Sequence, residues 1–309
     1  MKILVLGDYE DVYHSSEAAL RLKKKGYNIS SVTRSVNTEE IVTLADKMDA
    51  IVLVRERTPL DRDTISRFSD VKIISQTGKG TAHLDVDAIN EYGIHLTTTP
   101  GGSTPSVVEL TIGLMIGASR QFSLHQKMLK DGRWMQHPGV ELHGKQLGIL
   151  GYGKIGKEVA RVGKAIGMKV KVWRPTGSME EARRDNIEVG TLENVLQTSD
   201  VLSLHMRFSM EWKGFLNKDR LQMLKDQAIF VNTSRGGFVD EKALAELVRT
   251  QQLKGVGIDV FKEEPLVINS FKDCDNAILT PHIGYITIDA LQRFAEAALT
   301  NIEDYFESK

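Results

Sequence analysis

Residues 148–156 read Gly-Ile-Leu-Gly-Tyr-Gly-Lys-Ile-Gly, a Gly-x-Gly-x-x-Gly pattern that follows the apolar stretch Gln146–Leu150 and precedes a helical pattern. In that setting Gly151 allows a tight turn, Gly153 lets the backbone approach a pyrophosphate, and Gly156 lets the helix pack on the sheet. The N–H groups of the first helical turn then donate to the phosphates. We therefore predict a dinucleotide-binding unit whose cofactor-binding residues are Gly151, Tyr152, Gly153, Lys154, Ile155 and Gly156.

The end of the next strand predicts which dinucleotide binds. NAD-binding units place an acidic residue there, which hydrogen-bonds the adenosine ribose. Here the strand Lys169–Trp173 is followed by Arg174, 23 positions after Gly151, and then by Thr176 and Ser178. A guanidinium can donate two parallel hydrogen bonds to two oxygens of one phosphate. Arg174, with the hydroxyls of Thr176 and Ser178, therefore suits the 2′-phosphate of NADP, and we expect NADP as the cofactor. NAD remains the alternative, with Arg174 as a solvated strand-end residue.

The composition indicates a globular protein with room for two domains. The chain has 309 residues, of which 41% are hydrophobic and 26% charged, and its formal net charge is −1. With no overall basic field, neither nucleic acid nor an anionic membrane is an expected partner. A single cysteine, Cys274, excludes an intrachain disulfide, and no His, Cys or Asp group has metal-ligand spacing. We expect a cytoplasmic protein with no membrane segment and no bound metal.

Apolar, β-rich runs alternate with helical patterns along the chain, which predicts right-handed βαβ units on parallel sheets. The βαβ units of the first domain are complete by about residue 98, and a Pro- and Gly-rich linker segment follows them. The last helix is expected to return to the first domain. The predicted fold is therefore two doubly wound α/β domains: a flavodoxin-like substrate domain of residues 1–99 and 284–309, and a Rossmann domain of residues 100–283. Two linkers, near 99–103 and 283–288, predict a hinged cleft.

Three segments of the second domain place polar residues where predicted strands end. They are residues 230–237, Phe-Val-Asn-Thr-Ser-Arg-Gly-Gly; residues 257–265, Gly-Ile-Asp-Val-Phe-Lys-Glu-Glu-Pro; and residues 279–284, Leu-Thr-Pro-His-Ile-Gly. Ligands of open α/β sheets bind at the carboxyl ends of the strands. An Arg, a carboxylate and a His at such ends therefore predict a single reactive site.

These segments resemble the D-isomer-specific 2-hydroxyacid dehydrogenase family, and the resemblance covers nearly the whole chain. The matching stretches, in the family's order, are Gln76–Thr81, Leu142–Lys145, the Gly-x-Gly-x-x-Gly turn, Asn232–Gly236, Asp259–Pro265 and Thr280–Gly284. The resemblance implies hydride transfer between NAD(P) and C2 of a small 2-keto or 2-hydroxy acid.

The resemblance also implies the catalytic residues. Arg235 is expected to bind the substrate carboxylate and polarise the C2 carbonyl, His282 to donate and accept the proton, and Glu264, directly before a proline, to orient His282. These residue types suit the chemistry, because a guanidinium and a protonated imidazole stabilise the alkoxide that develops at the carbonyl oxygen.

Further cofactor and substrate contacts are implied in the same way. Asp259 is expected to accept a hydrogen bond from the nicotinamide carboxamide, and Thr233, Ser234 and His282 to join the cofactor site. The backbone of Lys79 and Gly80 is expected to bind the substrate carboxylate.

Two other residues bear on assembly and on the pocket. Trp134 resembles the family's dimer arm and predicts a homodimer, with an ordinary buried tryptophan as the other interpretation. Tyr285 follows Gly284 where a small residue is common in the family, which leaves the shape of the substrate pocket open.

Two indications about the substrate disagree. The segment Arg55–Thr58, Arg-Glu-Arg-Thr, resembles the one with which phosphoglycerate dehydrogenases bind phosphate, so Arg55 and Arg57 are expected to bind an anionic tail. The alternative is that one arginine pairs with an acid such as Glu56 or Asp61. Arg174 instead resembles the glyoxylate and hydroxypyruvate reductases, which often use NADPH. Both 3-phosphoglycerate and glyoxylate or hydroxypyruvate remain candidates.

A regulator that senses dinucleotides is the alternative function. A corepressor branch of the same family uses this fold to bind partners without turnover. Such proteins add partner-binding tails, and we expect none here, because the chain ends soon after its last predicted helix.

Overall fold

The computed structural model describes residues 1–266 and 269–308. The chain forms two compact units: unit 1, Met1–Ser103 with Ile286–Lys309, and unit 2, Thr104–Tyr285. The first boundary lies four residues later than expected from the sequence, and the second lies two residues later. The first shift has a local reason, because Arg293 Nε donates to the carbonyl of Gly102 at 2.9 Å and holds the Pro- and Gly-rich segment on unit 1.

Unit 1 is built on a five-stranded parallel sheet in the order β2-β1-β3-β4-β5. Its elements are β1 (Lys2–Leu6), α1 (Glu17–Lys24), β2 (Asn28–Val32), α2 (Thr38–Ala45), β3 (Ala50–Leu53), α3 (Arg62–Ser66), β4 (Ile73–Gln76), α4 (Val86–Glu91), β5 (His95–Thr98) and the last helix of the chain, α12 (Ile288–Glu307). This is the flavodoxin-like strand order, in agreement with the fold predicted for this domain.

Side-chain caps begin the first four helices. Ser16, Asn37, Asp61 and Asp85 each accept a hydrogen bond from a backbone N–H in the first turn of α1, α2, α3 and α4 respectively. These bonds satisfy donors that have no partner within the helix. The caps therefore set where each helix begins after its strand.

Unit 2 is built on a seven-stranded parallel sheet in the order β12-β11-β10-β9-β6-β7-β8. Its elements are α5 (Thr104–Ser119), α6 (Phe122–Lys130), β6 (Gln146–Leu150), α7 (Lys154–Ala165), β7 (Lys169–Trp173), α8 (Glu180–Arg184), β8 (Glu188–Val189), α9 (Leu192–Thr198), β9 (Val201–Leu204), α10 (Lys218–Gln222), β10 (Ile229–Asn232), α11 (Glu241–Arg249), β11 (Gly255–Ile258) and β12 (Ala277–Leu279). The predicted dinucleotide strand, β6, lies between β9 and β7, where the strand order reverses.

Helix α5 packs on the sheet of unit 2 at close range. A Cβ placed on Gly257 of β11 would lie 2.7 Å from Cβ of Leu114 on α5, so only glycine allows this approach. Thr111 of α5 forms a 2.8 Å hydrogen bond with Thr233, the residue that follows β10. The helix thereby supports one of the strand ends that carry the predicted site.

Within the described residues, no helix combines the length and the apolar character needed to cross a lipid bilayer.

Candidate active site

The turn after β6 has the shape that its glycines predict. Gly151 has a φ of +100°, and a Cβ there would lie 2.5 Å from the carbonyl oxygen of His205. A Cβ on Gly156 would lie 2.1 Å from the carbonyl oxygen of Gly151, whereas a Cβ on Gly153 would meet no atom of the described residues within 4 Å. Packing within the chain thus requires glycine at positions 151 and 156. Gly153 instead leaves open space in front of helix α7.

The open space suits the pyrophosphate of a nicotinamide dinucleotide. Gly153 is the N-cap of α7, and none of the described side chains caps this helix, so the first-turn N–H groups are left for a ligand. Lys154 is exposed there, but Ile155 is half-buried and Tyr152 is buried with its hydroxyl donating to Asp185 at 2.8 Å. Tyr152 can therefore contact a cofactor only through its backbone.

Arg174 lies at the end of β7, as expected, but its bonds differ from those anticipated. Its Nε donates to the carbonyl of Thr176 at 2.5 Å and its Nη1 donates to the carbonyl of Ser178 at 3.3 Å. The guanidinium is held by backbone carbonyls, and the Ser178 hydroxyl instead accepts from the N–H of Glu180. Arg174 also lines a cavity of about 480 Å³ with Trp173.

The predicted proton donor and its carboxylate partner lie in direct contact. Nδ1 of His282 is 2.6 Å from Oε2 of Glu264, while Oε1 of Glu264 accepts from the N–H of Phe261 at 2.8 Å. Burial alone would raise the pKa of Glu264, but the bonds from His282 and Phe261, with the charge of Arg235, together hold it below its ordinary value. With Nδ1 bonded to a carboxylate, Nε2 is left to exchange a proton with a substrate.

Asp259 organises the turn that carries His282. Its buried carboxylate accepts from the Thr280 hydroxyl at 2.5 Å and from the N–H groups of Ile283 and Gly284 at 2.9 Å. Its backbone carbonyl accepts from the N–H of His282 at 2.8 Å. Burial raises the pKa of Asp259 and outweighs these bonds, which act in the opposite direction. The described residues give Oδ2 one donor, so this oxygen retains acceptor capacity for the carboxamide predicted from the sequence.

Arg235 follows β10 on a turn held by a buried amide. Asn232 donates through Nδ2 to the carbonyl of Arg235 at 3.0 Å and accepts from the N–H of Ser234 at 2.9 Å. The Arg235 side chain is exposed and donates to the carbonyl of Ser234. The hydroxyls of Ser234 and Thr233 are committed to Met206 and to α5, so these two residues offer a cofactor mainly their backbone.

Three further residues shape this site and were not predicted as site residues. Asn232 and Thr280 lie inside the matching motifs. Their polar side chains at the ends of predicted strands could have identified them as site residues from the sequence. His205, at the end of β9 beside Gly151, hydrogen-bonds Ser203 at 2.7 Å. Burial lowers the pKa of His205 to about 3, so it is uncharged next to the dinucleotide turn.

In unit 1 the two arginines after β3 have different surroundings. Arg57 donates to both carboxylate oxygens of Glu10 and to the carbonyl of Gly7, each at 2.7 Å. One arginine therefore does pair with an acid, as the alternative expected, but the acid that binds Arg57 is Glu10, because β1 brings Glu10 within reach of the end of β3. The guanidinium of Arg55 lies against Gly78 and 5.5 Å from the ring centre of Phe294.

The remaining predicted substrate residues, Lys79 and Gly80, lie in the loop after β4, where Lys79 is exposed. In the same unit Asp8, Asp11 and His14 lie close enough together for ligand atoms within 4.8 Å of one another. Asp8 is buried and accepts from the N–H groups of Val12 and Tyr13, which explains its position without a metal.

Trp134 is 82% exposed, so the interpretation as an ordinary buried tryptophan was wrong. Other large apolar side chains of the same segment are also exposed, namely Phe122, Leu129 and Met135. Exposed apolar side chains thus recur along residues 122–135.

Comparison with known proteins gives concordant matches. The model of the D-isomer specific 2-hydroxyacid dehydrogenase NAD binding domain matches residues 112–284. A D-3-phosphoglycerate dehydrogenase of Archaeoglobus fulgidus is 34% identical over 279 residues, which cover 89% of this chain and 53% of the relative. A hydroxypyruvate reductase of Thermotoga maritima is 34% identical over 279 residues, which cover 89% of each chain. The chain thus spans about half the length of the first relative and most of the second.

A solved structure agrees with these matches. The crystal structure of a phosphoglycerate oxidoreductase from Vibrio cholerae superposes with a TM-score of 0.88, at 30% identity and over 100% of both chains. The matches extend over both units and include the strand ends that hold His282 and Glu264. The chain belongs to the D-isomer-specific 2-hydroxyacid dehydrogenase family, as the family model over residues 112–284 and the two relatives show.

Proposed function

We propose that this protein is an NAD(P)-dependent D-2-hydroxyacid dehydrogenase that interconverts a small 2-keto acid and its 2-hydroxy acid. The observation that carries the proposal is the 2.6 Å contact between His282 and Glu264, on a turn held by the buried Asp259. A His–carboxylate pair at the carboxyl end of a dinucleotide-binding sheet is suited to proton transfer coupled to hydride transfer.

The residues of the chain would divide the chemistry among them. A bound nicotinamide dinucleotide supplies or accepts the hydride. His282 donates the proton from Nε2 to the carbonyl oxygen during reduction and takes it back during oxidation. Glu264 holds Nδ1–H and balances the imidazolium charge, while Arg235 binds the substrate carboxylate and stabilises negative charge at the carbonyl oxygen. Lys79 and Gly80 stay predicted substrate contacts.

The preferred cofactor in this proposal is NADP. Arg174 uses two of its five N–H donors on backbone carbonyls, and the rest are available for a 2′-phosphate. NADPH should exceed NADH in kcat/KM, and Arg174→Asp should reverse that order by placing an acid where the ribose 2′-OH binds. A tenfold preference corresponds to about 1.4 kcal/mol. Equal use of both cofactors by the unaltered protein would contradict this assignment.

A substrate panel tests the function itself. Glyoxylate, hydroxypyruvate and phosphohydroxypyruvate would each be offered with NADPH and with NADH, and oxidation of the cofactor followed by absorbance. Turnover of at least one keto acid, with formation of the D-2-hydroxy product, is expected. Dinucleotide binding without turnover of any keto acid would instead favour the corepressor-like regulator.

We also propose an oligomeric state and a cellular location for the protein. We infer a homodimer in the cytoplasm, supported by the exposed apolar group around Trp134 and by the single cysteine. Sedimentation of the purified protein at several concentrations should give the mass of two chains. A single-chain mass at micromolar concentration would contradict the dimer.

A further inference from the structure

Tyr285 is the last residue of unit 2, and its ring packs against the imidazole of His282. The two ring centres are 5.7 Å apart, and the ring planes meet at 82°. This is the edge-to-face arrangement that aromatic pairs favour at separations of about 4.5–7 Å. The division of roles proposed above gives His282 one side-chain partner, Glu264, and leaves Tyr285 without a part although it contacts the same imidazole.

The carboxylate of Glu264 by itself holds only one atom of the imidazole. Its 2.6 Å bond to Nδ1 decides which ring nitrogen faces the acid. The ring can still tilt about that bond, because the terminal torsion of a histidine has broad minima. A tilt moves Nε2, the atom from which His282 would donate its proton. Proton transfer requires the donor within hydrogen-bond reach of the acceptor, so a second contact that limits the tilt favours it.

The ring of Tyr285 supplies such a second contact. Two rings that pack edge to face at this separation leave no room for a water molecule between them. The imidazole therefore cannot tilt toward Tyr285 without a clash, and a tilt away from it loses the dispersion attraction between the rings. Both side chains are half-buried, so neither ring is freely solvated.

The backbone keeps the two rings at a set separation. Two residues, Ile283 and Gly284, lie between them in the chain, and the N–H groups of both donate to the buried carboxylate of Asp259 at 2.9 Å. A Cβ on Gly284 would lie 3.0 Å from Oδ2 of Asp259, so a larger residue would press on that carboxylate. The contact between the two rings is therefore built into one short turn that Asp259 holds.

We infer that Tyr285 is a positioning residue for His282: its ring, together with the carboxylate of Glu264, fixes the plane of the imidazole and hence the direction of Nε2. The inference rests on the proposed function, because it takes His282 as the proton donor. The contact requires the aromatic ring and not the hydroxyl. Loss of the ring should slow proton transfer, which lowers kcat, and should leave substrate binding, and with it KM, nearly unchanged.

Kinetics of two variants, Tyr285→Leu and Tyr285→Phe, test the inference with hydroxypyruvate and NADPH. Leucine keeps an apolar side chain without the ring, so we expect kcat to fall about tenfold, as for a modest misplacement of a reacting group. KM should stay within about twofold, because binding is not the step affected. Phenylalanine keeps the ring contact and should keep kcat within about twofold of that of the unaltered protein.

Tyr92→Leu is the matched control, because it removes a 47% exposed ring at the end of α4 in unit 1 and should change neither constant. An unchanged kcat in Tyr285→Leu would overturn the inference. Equal losses of kcat in Tyr285→Leu and Tyr285→Phe would also overturn it, since they would assign the effect to the hydroxyl.

A measurement on the imidazole itself separates this inference from the proposed function, since it needs no turnover. In protein with isotope-labelled histidine, the Cε1–H signal of His282 is the one that disappears in His282→Asn, and its relaxation gives the order parameter of the ring. Tyr285→Leu should lower that order parameter or broaden the signal by exchange, and Tyr285→Phe should do neither.

Unchanged order and line width in Tyr285→Leu would overturn the positioning role even if turnover falls. Loss of order in Tyr285→Leu, with no keto acid reduced by the unaltered protein, would support the positioning of His282 by Tyr285 and remove the proposed function.

Discussion

At the scale of single residues, the position of His282 depends on backbone bonds as much as on its own side chain. His282 has a φ of +55°, and its N–H donates to the carbonyl of Asp259 while the carboxylate of Asp259 accepts from the two following N–H groups. A left-handed residue of this kind costs about 1 kcal/mol or more, which these bonds offset. The imidazole is therefore presented to Glu264 in a fixed direction.

His282→Asn is expected to remove the proton donor and keep the fold. Asparagine tolerates the left-handed conformation better than most residues, so the turn should persist. Turnover should fall by about 10²–10⁴-fold, the usual contribution of a positioned acid–base group. Steady-state kinetics would measure the loss, and fluorescence titration with NADPH should show nearly unchanged binding. Ordinary turnover by this variant would show that another group donates the proton.

Glu264→Gln should shift the pH–rate profile for reduction to lower pH. Because the pKa of Glu264 lies below its ordinary value, the carboxylate is ionised throughout the working range and favours the imidazolium beside it. The amide keeps the size of the side chain without the charge, so the imidazolium is lost at a lower pH. The profile of kcat between about pH 5 and 9 would show this. If the high-pH side of the profile did not shift in the variant, Glu264 would not be the electrostatic partner of His282.

At the scale of elements, the β6–turn–α7 unit combines two glycines that packing requires with one that leaves space. Gly151 and Gly156 each lie against a backbone carbonyl, and Gly153 faces open space. The sequence pattern predicted all three roles, because each concerns neighbours a few positions away. Strand β8 has only two residues and was not predicted, since so short a run carries no periodic signal.

Gly156→Ala and Gly153→Ala should affect different properties. The methyl group at position 156 would lie 2.1 Å from the Gly151 carbonyl, so the backbone must shift, and we expect a destabilisation of about 1–3 kcal/mol. At position 153 no atom in the described part of the chain lies within 4 Å of the methyl group, so stability should hardly change while dinucleotide affinity falls. Thermal unfolding without cofactor and titration with NADPH would separate the two. Equal stability loss in both variants would contradict the role given to Gly153.

At the scale of the whole molecule, chain ends far apart in sequence are joined within unit 1. Glu303 of α12 is buried and accepts from Lys25 at 2.6 Å and from Arg21 at 3.1 Å. The last helix thereby packs on α1, near the beginning of the chain. The apolar face of this helix predicted that it returns to the first domain. No local sequence pattern could predict the ion pairs of Glu303, because their partners lie near the other end of the chain.

Glu303→Gln should destabilise unit 1 by about 1–3 kcal/mol, because it weakens charge-assisted bonds at a buried position. The bond from Lys25 is the main reason that the pKa of Glu303 is lowered. Its contribution to stability is therefore complete above the unfolded pKa, about 4.3, and is lost as pH falls through the lower folded value. Denaturant unfolding at pH 7 and at low pH would show the difference shrink. Glu296→Gln, at a 45% exposed partner of Arg21, should cost less than about 1 kcal/mol.

The sequence by itself determined the alternation of strands and helices, the glycine turn, and the strand ends that carry Arg235, Glu264 and His282. These features follow from periodicity, turn chemistry and motif spacing, which act over a few residues. Tertiary structure alone decided that Arg57 is bound by Glu10, 47 positions away, and that Glu56 lies against Gly80. A charged side chain bonds whichever group the fold brings near it, and parallel strands bring together residues that no local pattern connects. Which acid binds Arg57 was for that reason undecided until the strands were paired.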